Sequence, residues 1–343
     1  MKIVVLAGGL STEREVSLQS GLQIFKALKS KGHQTVLVDV YLGYQGEGVS
    51  DIFSVDKDWT EGIAKVGENA PDIEAVKKQR NDTGYDQREF LGPNVLDICK
   101  QADVVFMALH GATGEDGRIQ ALFELHGIPF TGTDYISSAI AMDKALTKEL
   151  FEANGIPNAK GYSIKIGEPL QDIGYPSIVK VNNGGSSVGV YVVNNDEEMR
   201  DALEKAKEFD DRVVIEQFIK GREFSCGVID GKALPIIEIV PKVGFYDFKN
   251  KYQAGCAEDI CPAVLPEDVT KRCQSVIEKA FKVLRLKSYA RIDFILNDKM
   301  EMFVLEANTL PGMTPVSLLP QEAAAVGMDF PLLCEKLIEV SLK

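Results

Sequence analysis

Two apolar segments near the carboxyl end of the chain, 289–296 and 300–307, are rich in branched and aromatic residues and flank the turn sequence NDKM. This pattern predicts a β-hairpin, with Asp298-Lys299 as its two-residue loop and Arg291 opposite Glu306. Side chains alternate between the two faces of a strand. One face is therefore expected to join the core: Ile292, Phe294, Leu296, Phe303 and Leu305. The other carries the polar groups: Arg291, Asp293, Glu306 and Asn308.

This spacing alone leaves the use of the polar face open. Two carboxylates and an amide oxygen suit a hard divalent cation such as Mg²⁺, which completes its coordination with water and phosphate oxygens. An Arg–Glu ion pair on a solvated sheet face would give the same pattern. The rest of the chain has to separate the two interpretations.

The amino-terminal part of the sequence alternates buried strands with helical segments. Three segments are predicted to be strands: "KIVVLAGG", "QTVLVDV" and "ADVVFMALHG". Residues 16–30 have the apolar spacing of a helix. This order predicts an α/β domain, 1–140, built on a doubly wound parallel sheet. It is interrupted at 41–94 by a polar insertion with weak helical patches and no readable chemistry.

Hairpins beside helices follow from about residue 145 and predict two α+β lobes, 141–220 and 221–343. A closing helix is expected from about 320 to 341.

Bulk properties exclude several classes of partner. A net charge of −13 argues against nucleic acid or an anionic membrane as the main partner. Six scattered cysteines without a CxxC pair are expected to be reduced, as in a cytoplasmic protein. No apolar run approaches the length needed to span a bilayer, and "IVVLAGG" is too short for a signal peptide.

Several segments carry phosphate-binding chemistry. The loop "VNNGGSSVGV", 181–190, has adjacent glycines and serines whose amides and hydroxyls can wrap phosphate oxygens, although a flexible hairpin loop has the same composition. Lys180 ends a strand that should be largely buried, and Lys144 begins a helix, where the dipole disfavours a cation. An anionic partner would explain both lysines, whereas the alternative is that each reaches solvent.

Four further segments have both a functional and a plain interpretation. In "VVIEQFIKGREFS", 213–225, backbone groups at 217–219 could form hydrogen bonds with the edge of an adenine, and an acid could accept hydrogen bonds from ribose hydroxyls. The alternative is a simple strand–turn–strand with no ligand. Glu13 could face a substrate amine or only favour the first turn of its helix. His110 ends a parallel strand, where α/β sheets bind ligands. The loop 243–255, with Lys251-Tyr252, has the character of a lid.

Taken in order, the motifs "STEREVSL", "LHGATGEDG", "AMDK", "GGSSVG", "FYDFKNKY", "ARIDF" and "LEANTLPGMTPVSL" resemble the D-alanine–D-alanine ligase family of the ATP-grasp superfamily. They span nearly the whole chain. The pattern departs from the family's usual one at Val181, where proline is usual, and at Asn183-Gly184, which leaves the details of the phosphate loop open.

The resemblance implies roles for named residues. ATP would be held by Lys144, Lys180, Gly185, Ser186, Ser187, Glu216, Gln217, Phe218, Ile219 and Glu223. Two Mg²⁺ ions would be bound by Asp293, Glu306 and Asn308. Mn²⁺ is expected to be able to serve in place of Mg²⁺. The amino-acid substrates would contact Glu13, His110, Arg291, Gly312, Ser317 and Leu318. Catalysis would involve Glu13, Ser186, Lys251, Tyr252, Arg291 and Ser317.

The implied reaction joins two D-alanines through a D-alanyl phosphate and supplies the dipeptide for peptidoglycan precursors. D-Serine or D-lactate as the second substrate is the alternative, although Lys251-Tyr252 matches the form that makes the D-alanine dipeptide. A non-catalytic ATP-binding module is a more remote alternative. The resemblance also implies a homodimer.

Overall fold

The computed structural model describes residues 1–63, 66–67, 71–84, 88–185, 188–241 and 257–343. The amino-terminal part contains β1 (Lys2–Ala7), α1 (Arg14–Ser30), β2 (Gln34–Asp39), a 3₁₀ helix (Val49–Ser54), α2 (Ile73–Asn81), α3 (Val95–Cys99), β3 (Val104–Met107), α4 (Arg118–Leu125) and α5 (Tyr135–Met142). The middle part contains α6 (Lys144–Ala153), β4 (Gly161–Lys165), β5 (Ser177–Val181), β6 (Val190–Val193), α7 (Asp196–Ala206) and β7 (Arg212–Gln217). The last part contains β8 (Arg222–Ile229), β9 (Lys232–Ala233), β10 (Ile237–Pro241), β11 (Ala257–Ile260), α8 (Glu267–Val283), β12 (Tyr289–Leu296), β13 (Met302–Asn308), α9 (Leu318–Ala324) and α10 (Phe330–Ser341).

The first sheet is parallel, with strand order β2-β1-β3, and a parallel bridge from Val105 to Phe130 extends it. Its central strand is buried from Ile3 to Ala7, as expected for a sheet covered on both faces. The parallel sheet predicted from the strand–helix alternation is therefore confirmed. Because the carboxyl ends of β1 and β3 meet at one edge, the segments that follow them, Glu13 and His110 included, start from the same side of the sheet.

The described parts of the insertion 41–94 are packed more closely than its polar sequence suggests. Tyr41, Tyr44 and Ile52 are buried in the core beneath the sheet. Arg80, 1% exposed, donates hydrogen bonds to the carbonyls of Phe90 and Leu91. The expectation of weak helical patches is wrong for α2, whose first turn is capped by the Asp72 side chain.

Two antiparallel sheets follow, with strand orders β4-β7-β5-β6 and β11-β10-β8-β12-β13, and β9 pairs with β8. Helix α7 packs on the first of them and α8 on the second. The mixed α+β character predicted for this half is confirmed. Among the described residues, no helix is both long and apolar enough to cross a membrane.

The closing segment forms two helices rather than the single helix expected for 320–341. Gly327 adopts φ +81°, a left-handed conformation that ends α9, and Asp329 then caps α10 by accepting a hydrogen bond from the Leu332 amide at 2.8 Å. Pro331 at the start of α10 fits this position, because its missing N–H is not needed there. The sequence Gly-Met-Asp-Phe-Pro carried the signal for this break.

The β12–β13 hairpin differs in register from the prediction. Asn297 accepts from the Met300 amide, and Met300 has φ +59°, so the loop contains three residues. A second offset occurs between Asp293 and Phe294, where Leu305 is the extra residue of a β-bulge. Arg291 is therefore opposite Asn308, and Asp293 is opposite Glu306.

The bulge also corrects the predicted core face. Phe303 and Leu305 are only half-buried, and the core positions of β13 are Met302, Val304 and Ala307. The two one-residue offsets add up to two, which is one full period of side-chain alternation. Arg291, Asp293, Glu306 and Asn308 consequently still share the face that was predicted.

A buried acid beneath this hairpin gives a prediction about stability. Glu322 on α9 is 0% exposed, and its Oε2 accepts a hydrogen bond from the Gly227 amide at 2.7 Å. Burial raises the pKa of Glu322 well above its usual value, which the Gly227 amide and the charge of Arg291 offset only in part. As the pH rises, the folded protein therefore keeps the Glu322 proton at pH values where the unfolded chain has already lost it.

Glu322→Gln is expected to be more stable than the parent at pH 8 and about equally stable at pH 4. In the parent, the free energy of unfolding falls as the pH rises above 4.5, the pKa of Glu322 in the unfolded chain, because the folded state resists losing the proton. The glutamine side chain has no proton to lose, so the variant avoids this loss of about 1–3 kcal/mol. Urea titrations between pH 4 and pH 9 measure it, with exposed Glu124→Gln as the control. Parallel pH profiles for parent and Glu322→Gln would contradict the expectation.

Candidate active site

Two adjoining cavities meet at the polar face of β12. The first, the lysine cavity, has a volume of about 430 Å³, and the second, the Glu13 cavity, about 320 Å³. Residues that line the lysine cavity include Lys144, Lys180, Phe218, Ile219, Glu223, Asp293, Leu305 and Glu306. Those that line the Glu13 cavity include Glu13, His110, Glu115, Asp259, Arg291, Gly312, Ser317 and Leu318.

Strand β12 joins the two cavities. Asp293 lines the lysine cavity and Arg291, two residues away on the same face, lines the Glu13 cavity. Gly185 in the loop after β5 lines both. A Cβ on Gly185 would lie only 2.9 Å from Oε2 of Glu13, so any larger residue would push the Glu13 carboxylate from this position. Groups bound in the two cavities would therefore meet beside Arg291.

Asp293 is the centre of the polar face and is only 5% exposed. Arg291 donates to both of its oxygens, from Nε to Oδ1 at 2.9 Å and from Nη2 to Oδ2 at 2.8 Å. The Ser225 hydroxyl adds a hydrogen bond of 2.6 Å and the Asn308 amide nitrogen one of 3.0 Å. The carboxylate is thus held in one orientation, and its negative charge is matched by donors from three strands.

The donor set on this face fits Mg²⁺. Asp293 and Glu306 are directly opposed across the hairpin, and Asn308 lies next along the same face. Within the described ranges, no group of three or more His, Cys, Asp and Glu side chains is placed to enclose a metal. Two carboxylates and an amide match the few protein ligands that Mg²⁺ takes when phosphate and water complete its coordination. A Mg²⁺ ion held in this way leaves coordination positions open for phosphate oxygens.

Lys180, in the lysine cavity, is held in place by Glu216, which does not line that cavity. Lys180 Nζ contacts Glu216 Oε2 at 2.8 Å, and Lys148 Nζ lies 3.4 Å from Glu216 Oε1. Burial alone would lower the pKa of Lys180, but the negative charge of Glu216 outweighs it and the pKa is raised. Burial would raise the pKa of Glu216, and the two lysines reverse this and lower it. Lys180 and Glu216 therefore both stay charged at neutral pH.

Lys144 is positioned by the segment that follows β5. Its Nζ donates to the Gly184 carbonyl at 2.6 Å and lies 3.7 Å from Glu306 Oε2. The start of α6 is tied to the same segment, because the Ala145 amide donates to the Asn182 side chain at 2.8 Å. The helix start, the segment after β5 and the acidic hairpin are therefore joined by direct contacts.

The predicted adenine connector is only partly brought into the lysine cavity. Phe218 and Ile219 line it, but the Gln217 amide is bonded to the Lys160 carbonyl and the Phe218 amide to the Pro176 carbonyl. The Gln217 side chain donates to the Ile173 carbonyl at 3.3 Å. The Gln217 N–H groups are therefore used by neighbouring segments, and the contact of backbone groups at 217–219 with adenine stays a prediction that Phe218 and Ile219 support best.

Glu13 stands at the start of α1 but does not cap it. It is 8% exposed, and its side chain makes no capping hydrogen bond. The same carboxylate lines the second cavity, beside Gly185. A buried carboxylate that lines a cavity and does not cap its helix fits the role of binding a cationic ligand better than the role of a structural acid at a helix end.

His110 and Glu115 form the wall behind Glu13. His110 Nδ1 lies 3.0 Å from the Leu310 carbonyl, and Nε2 lies 3.4 Å from the Ser20 hydroxyl. Burial lowers the pKa of His110, so a neutral ring that donates from Nδ1 and accepts at Nε2 fits both contacts. Glu115 accepts from the Gly111 and Leu310 amides, and burial next to the charge of Glu13 raises its pKa to about 8.

The far end of the Glu13 cavity is built by the turn before α9. Ser317 Oγ accepts from the Thr314 amide at 3.1 Å, and a Cβ on Gly312 would lie 3.1 Å from that Oγ. Leu318 is the first residue of α9, where amides have no partner within the helix. Amide and hydroxyl donors at such a helix start suit a carboxylate.

Four predicted site residues, Ser186, Ser187, Lys251 and Tyr252, lie outside the described residues. Other residues of the site were not predicted: Lys148, Ser225, Glu115 and Asp259. Glu115 carried a sequence signal, since it is an acid within the glycine-rich loop that follows a parallel strand. Lys148 and Ser225 carried none, because the site residues that they contact, Glu216 and Asp293, are distant in sequence.

Family models cover most of the chain. Residues 2–133 match the model described as "D-ala D-ala ligase N-terminus", and residues 156–339 match "D-ala D-ala ligase C-terminus". The chain is also similar to a D-alanine–D-alanine ligase of Lacticaseibacillus casei, 43% identical over 349 positions that cover 100% of this chain and 96% of the relative. A ligase of the same name from Pediococcus pentosaceus is 41% identical, covering 98% and 97%.

Solved structures give the same result. The crystal structure of D-alanine–D-alanine ligase from Bacillus anthracis complexed with ATP has a TM-score of 0.75 and 31% identity, covering 100% of this chain and 97% of that one. The ligase from Coxiella burnetii has a TM-score of 0.75 and 27% identity, covering 100% and 94%.

Proposed function

The chain belongs to the D-alanine–D-alanine ligase family, and we propose that its two cavities divide the ATP-dependent joining of two D-alanines, with ATP in the lysine cavity and the amino acids in the Glu13 cavity. The dipeptide product supplies peptidoglycan precursors. The observation that carries the assignment is the position of Arg291 and Asp293 on one strand face, each lining a different cavity.

In the lysine cavity, Lys144 and Lys180 neutralise the phosphates, and Phe218, Ile219 and Glu223 hold the nucleoside. Mg²⁺ held by Asp293, Glu306 and Asn308 supplies the positive charge that a carboxylate needs in order to approach a triphosphate. Mn²⁺ is expected to serve in its place. Glu216 and Lys148 do not line this cavity and act by fixing Lys180.

In the Glu13 cavity, Glu13 receives the ammonium of the first D-alanine, whose carboxylate then points toward Arg291. This carboxylate attacks the γ-phosphorus of ATP, ADP leaves, and D-alanyl phosphate forms. Arg291 stabilises the charge that develops on the oxygens. Neutral His110 and Glu115 shape the pocket around Glu13.

The second D-alanine is held by its carboxylate at Ser317 and the Leu318 amide, with Gly312 allowing the close approach. Its amine, once deprotonated, attacks the acyl carbon. The tetrahedral intermediate next to Arg291 then expels phosphate and leaves the dipeptide. Ser186, Lys251 and Tyr252 are proposed to close over the site and keep water from the acyl phosphate.

D-Serine and D-lactate are not favoured as second substrates, because the relatives with the highest identities reported above are D-alanine–D-alanine ligases. A non-catalytic module would have lost a metal ligand or Arg291, and all of these are present in one cleft.

A substrate panel tests the proposed function. Phosphate release from ATP is measured with D-alanine, L-alanine, D-serine and D-lactate, singly and as the second substrate after D-alanine. Turnover with D-alanine alone, with the dipeptide as product, is expected. Activity only when D-serine or D-lactate is added would overturn the assignment.

We also propose a division into domains 1–140, 141–220 and 221–343, which is supported by one sheet lying in each range. A homodimer in the cytoplasm is proposed as well. Light scattering on the purified chain would test the oligomeric state.

A further inference from the structure

Asp259 lies on β11, the edge strand of the last sheet, and its side chain lines the Glu13 cavity together with Arg291, Ser317 and Leu318. The proposed function gives it no role. Its contact with Gln321 on α9 places it near the end of the cavity that Ser317 and Leu318 build, where the second amino acid is proposed to bind.

Gln321 fixes the orientation of this carboxylate. Its amide nitrogen donates to Asp259 Oδ2 at 2.8 Å and to the Val316 carbonyl at 2.8 Å. The edge strand is thereby tied to the turn that presents Ser317, so Asp259 keeps a constant position relative to the donors for the second carboxylate. Both protons of the Gln321 amide are used in this connection.

The other oxygen, Asp259 Oδ1, is buried and accepts no hydrogen bond in the described part of the chain. Burial raises the pKa of Asp259, which the hydrogen bond from Gln321 and the charge of Arg291 counter only partly. A buried carboxylate oxygen without a donor is costly, and a cationic donor relieves that cost most effectively. The amine is the only donor that a second D-alanine brings once its carboxylate is bound.

We propose that Asp259 binds the second D-alanine, accepting a hydrogen bond at Oδ1 from its amine and directing the nitrogen toward the acyl phosphate. The assignment rests on the proposed function. It divides the two amines of the reaction between two acids, Glu13 for the first substrate and Asp259 for the second.

Asp259→Asn is the variant that tests this role, because it keeps the shape and an acceptor for Gln321 but turns a donor toward the incoming amine. The KM for the second D-alanine is expected to rise about 10- to 100-fold, the range of one hydrogen bond to a charged group. The KM values for ATP and for the first D-alanine should stay unchanged. Exposed Glu258→Gln, the neighbour on the same strand, is the control.

A trapping assay separates the half-reactions. Hydroxylamine converts D-alanyl phosphate to the hydroxamate without an amine bound at the second position. Asp259→Asn should form hydroxamate at the parent rate while dipeptide formation falls. Equal loss in both assays, or loss in neither, would overturn the role of Asp259. If the parent itself forms no hydroxamate, the proposed function fails instead.

Gln321→Met provides a second test should Asp259→Asn fold poorly. It leaves the carboxylate in place but removes the connection to Val316. A smaller rise in the second KM, with unchanged hydroxamate formation, is the expected result. An unchanged second KM in a folded Gln321→Met variant would contradict the proposal.

Discussion

Arg291→Ala is expected to lower kcat by about 10²- to 10³-fold, the usual effect of removing one donor that stabilises a developing oxyanion. Arg291 lines the Glu13 cavity and contacts Asp293, which lines the lysine cavity, so in the proposed arrangement it lies where phosphoryl transfer and peptide formation both take place. The KM for ATP should change much less, because the lysines that bind phosphate remain. Phosphate release at saturating ATP and D-alanine measures the effect.

A purely structural role for Arg291 has to be separated from this one. Loss of the guanidinium leaves Asp293 buried with fewer donors, and the free energy of unfolding should fall by about 3 kcal/mol in the absence of metal. Mg²⁺ should restore much of that stability by pairing with the carboxylate. If saturating Mg²⁺ also restored kcat, Arg291 would be only a counter-charge and its proposed role in catalysis would be wrong. Exposed Arg200→Ala controls for loss of charge elsewhere.

The sequence was sufficient to predict which side chains share the polar face of the hairpin, although the predicted pairing was wrong. The loop residue Met300 and the bulge residue Leu305 each shift the register by one. Neither shift is visible in the apolar pattern, because Leu305 is as apolar as a core residue would be. Because the two shifts add up to two residues, the polar side chains stay on the strand face that was predicted for them. Asp293 and Glu306 therefore share one face.

The partners of the site residues were harder to predict than the residues themselves. Lys180 was predicted from its place at the end of a buried strand, but Lys148, which shares Glu216 with it, comes from a separate helix. Gln217 gives a second example, since its backbone N–H donates to the carbonyl of Lys160, a residue distant in sequence. Contacts of this kind join segments of one lobe that are distant in sequence, and local sequence does not encode how those segments pack.

His110 shows the converse case, a residue whose place was predicted but whose state needed the structure. Its position after β3 predicted that it would reach the edge of the parallel sheet where ligands bind. Only the contacts with Leu310 and Ser20, together with the burial that lowers the pKa of His110, show that a neutral ring fits there. His110 is thus suited to shape the pocket rather than to carry charge.

Glu306→Gln is expected to reduce kcat by at least about 10²-fold, because the amide removes one of two negative charges from the proposed Mg²⁺ ligands. Glu306 is directly opposite Asp293 and has 29% of its side chain exposed, so the isosteric change should leave the fold intact. The Mg²⁺ concentration needed for half-maximal activity should rise, and thermal unfolding should stay close to that of the parent. Activity measured against Mg²⁺ concentration, with a melting curve for each variant, tests both points.

Glu149→Gln is the matched control for Glu306→Gln, since it removes one charge from an exposed position on the helix that carries Lys144. It should change neither the rate nor the Mg²⁺ dependence. A charge effect acting through Lys144, which lies 3.7 Å from Glu306, would instead raise the KM for ATP and leave the Mg²⁺ dependence unchanged. Such a result, or a near-normal rate at low Mg²⁺, would rule out Glu306 as a metal ligand, because a ligand that lost its charge has to bind the cation more weakly.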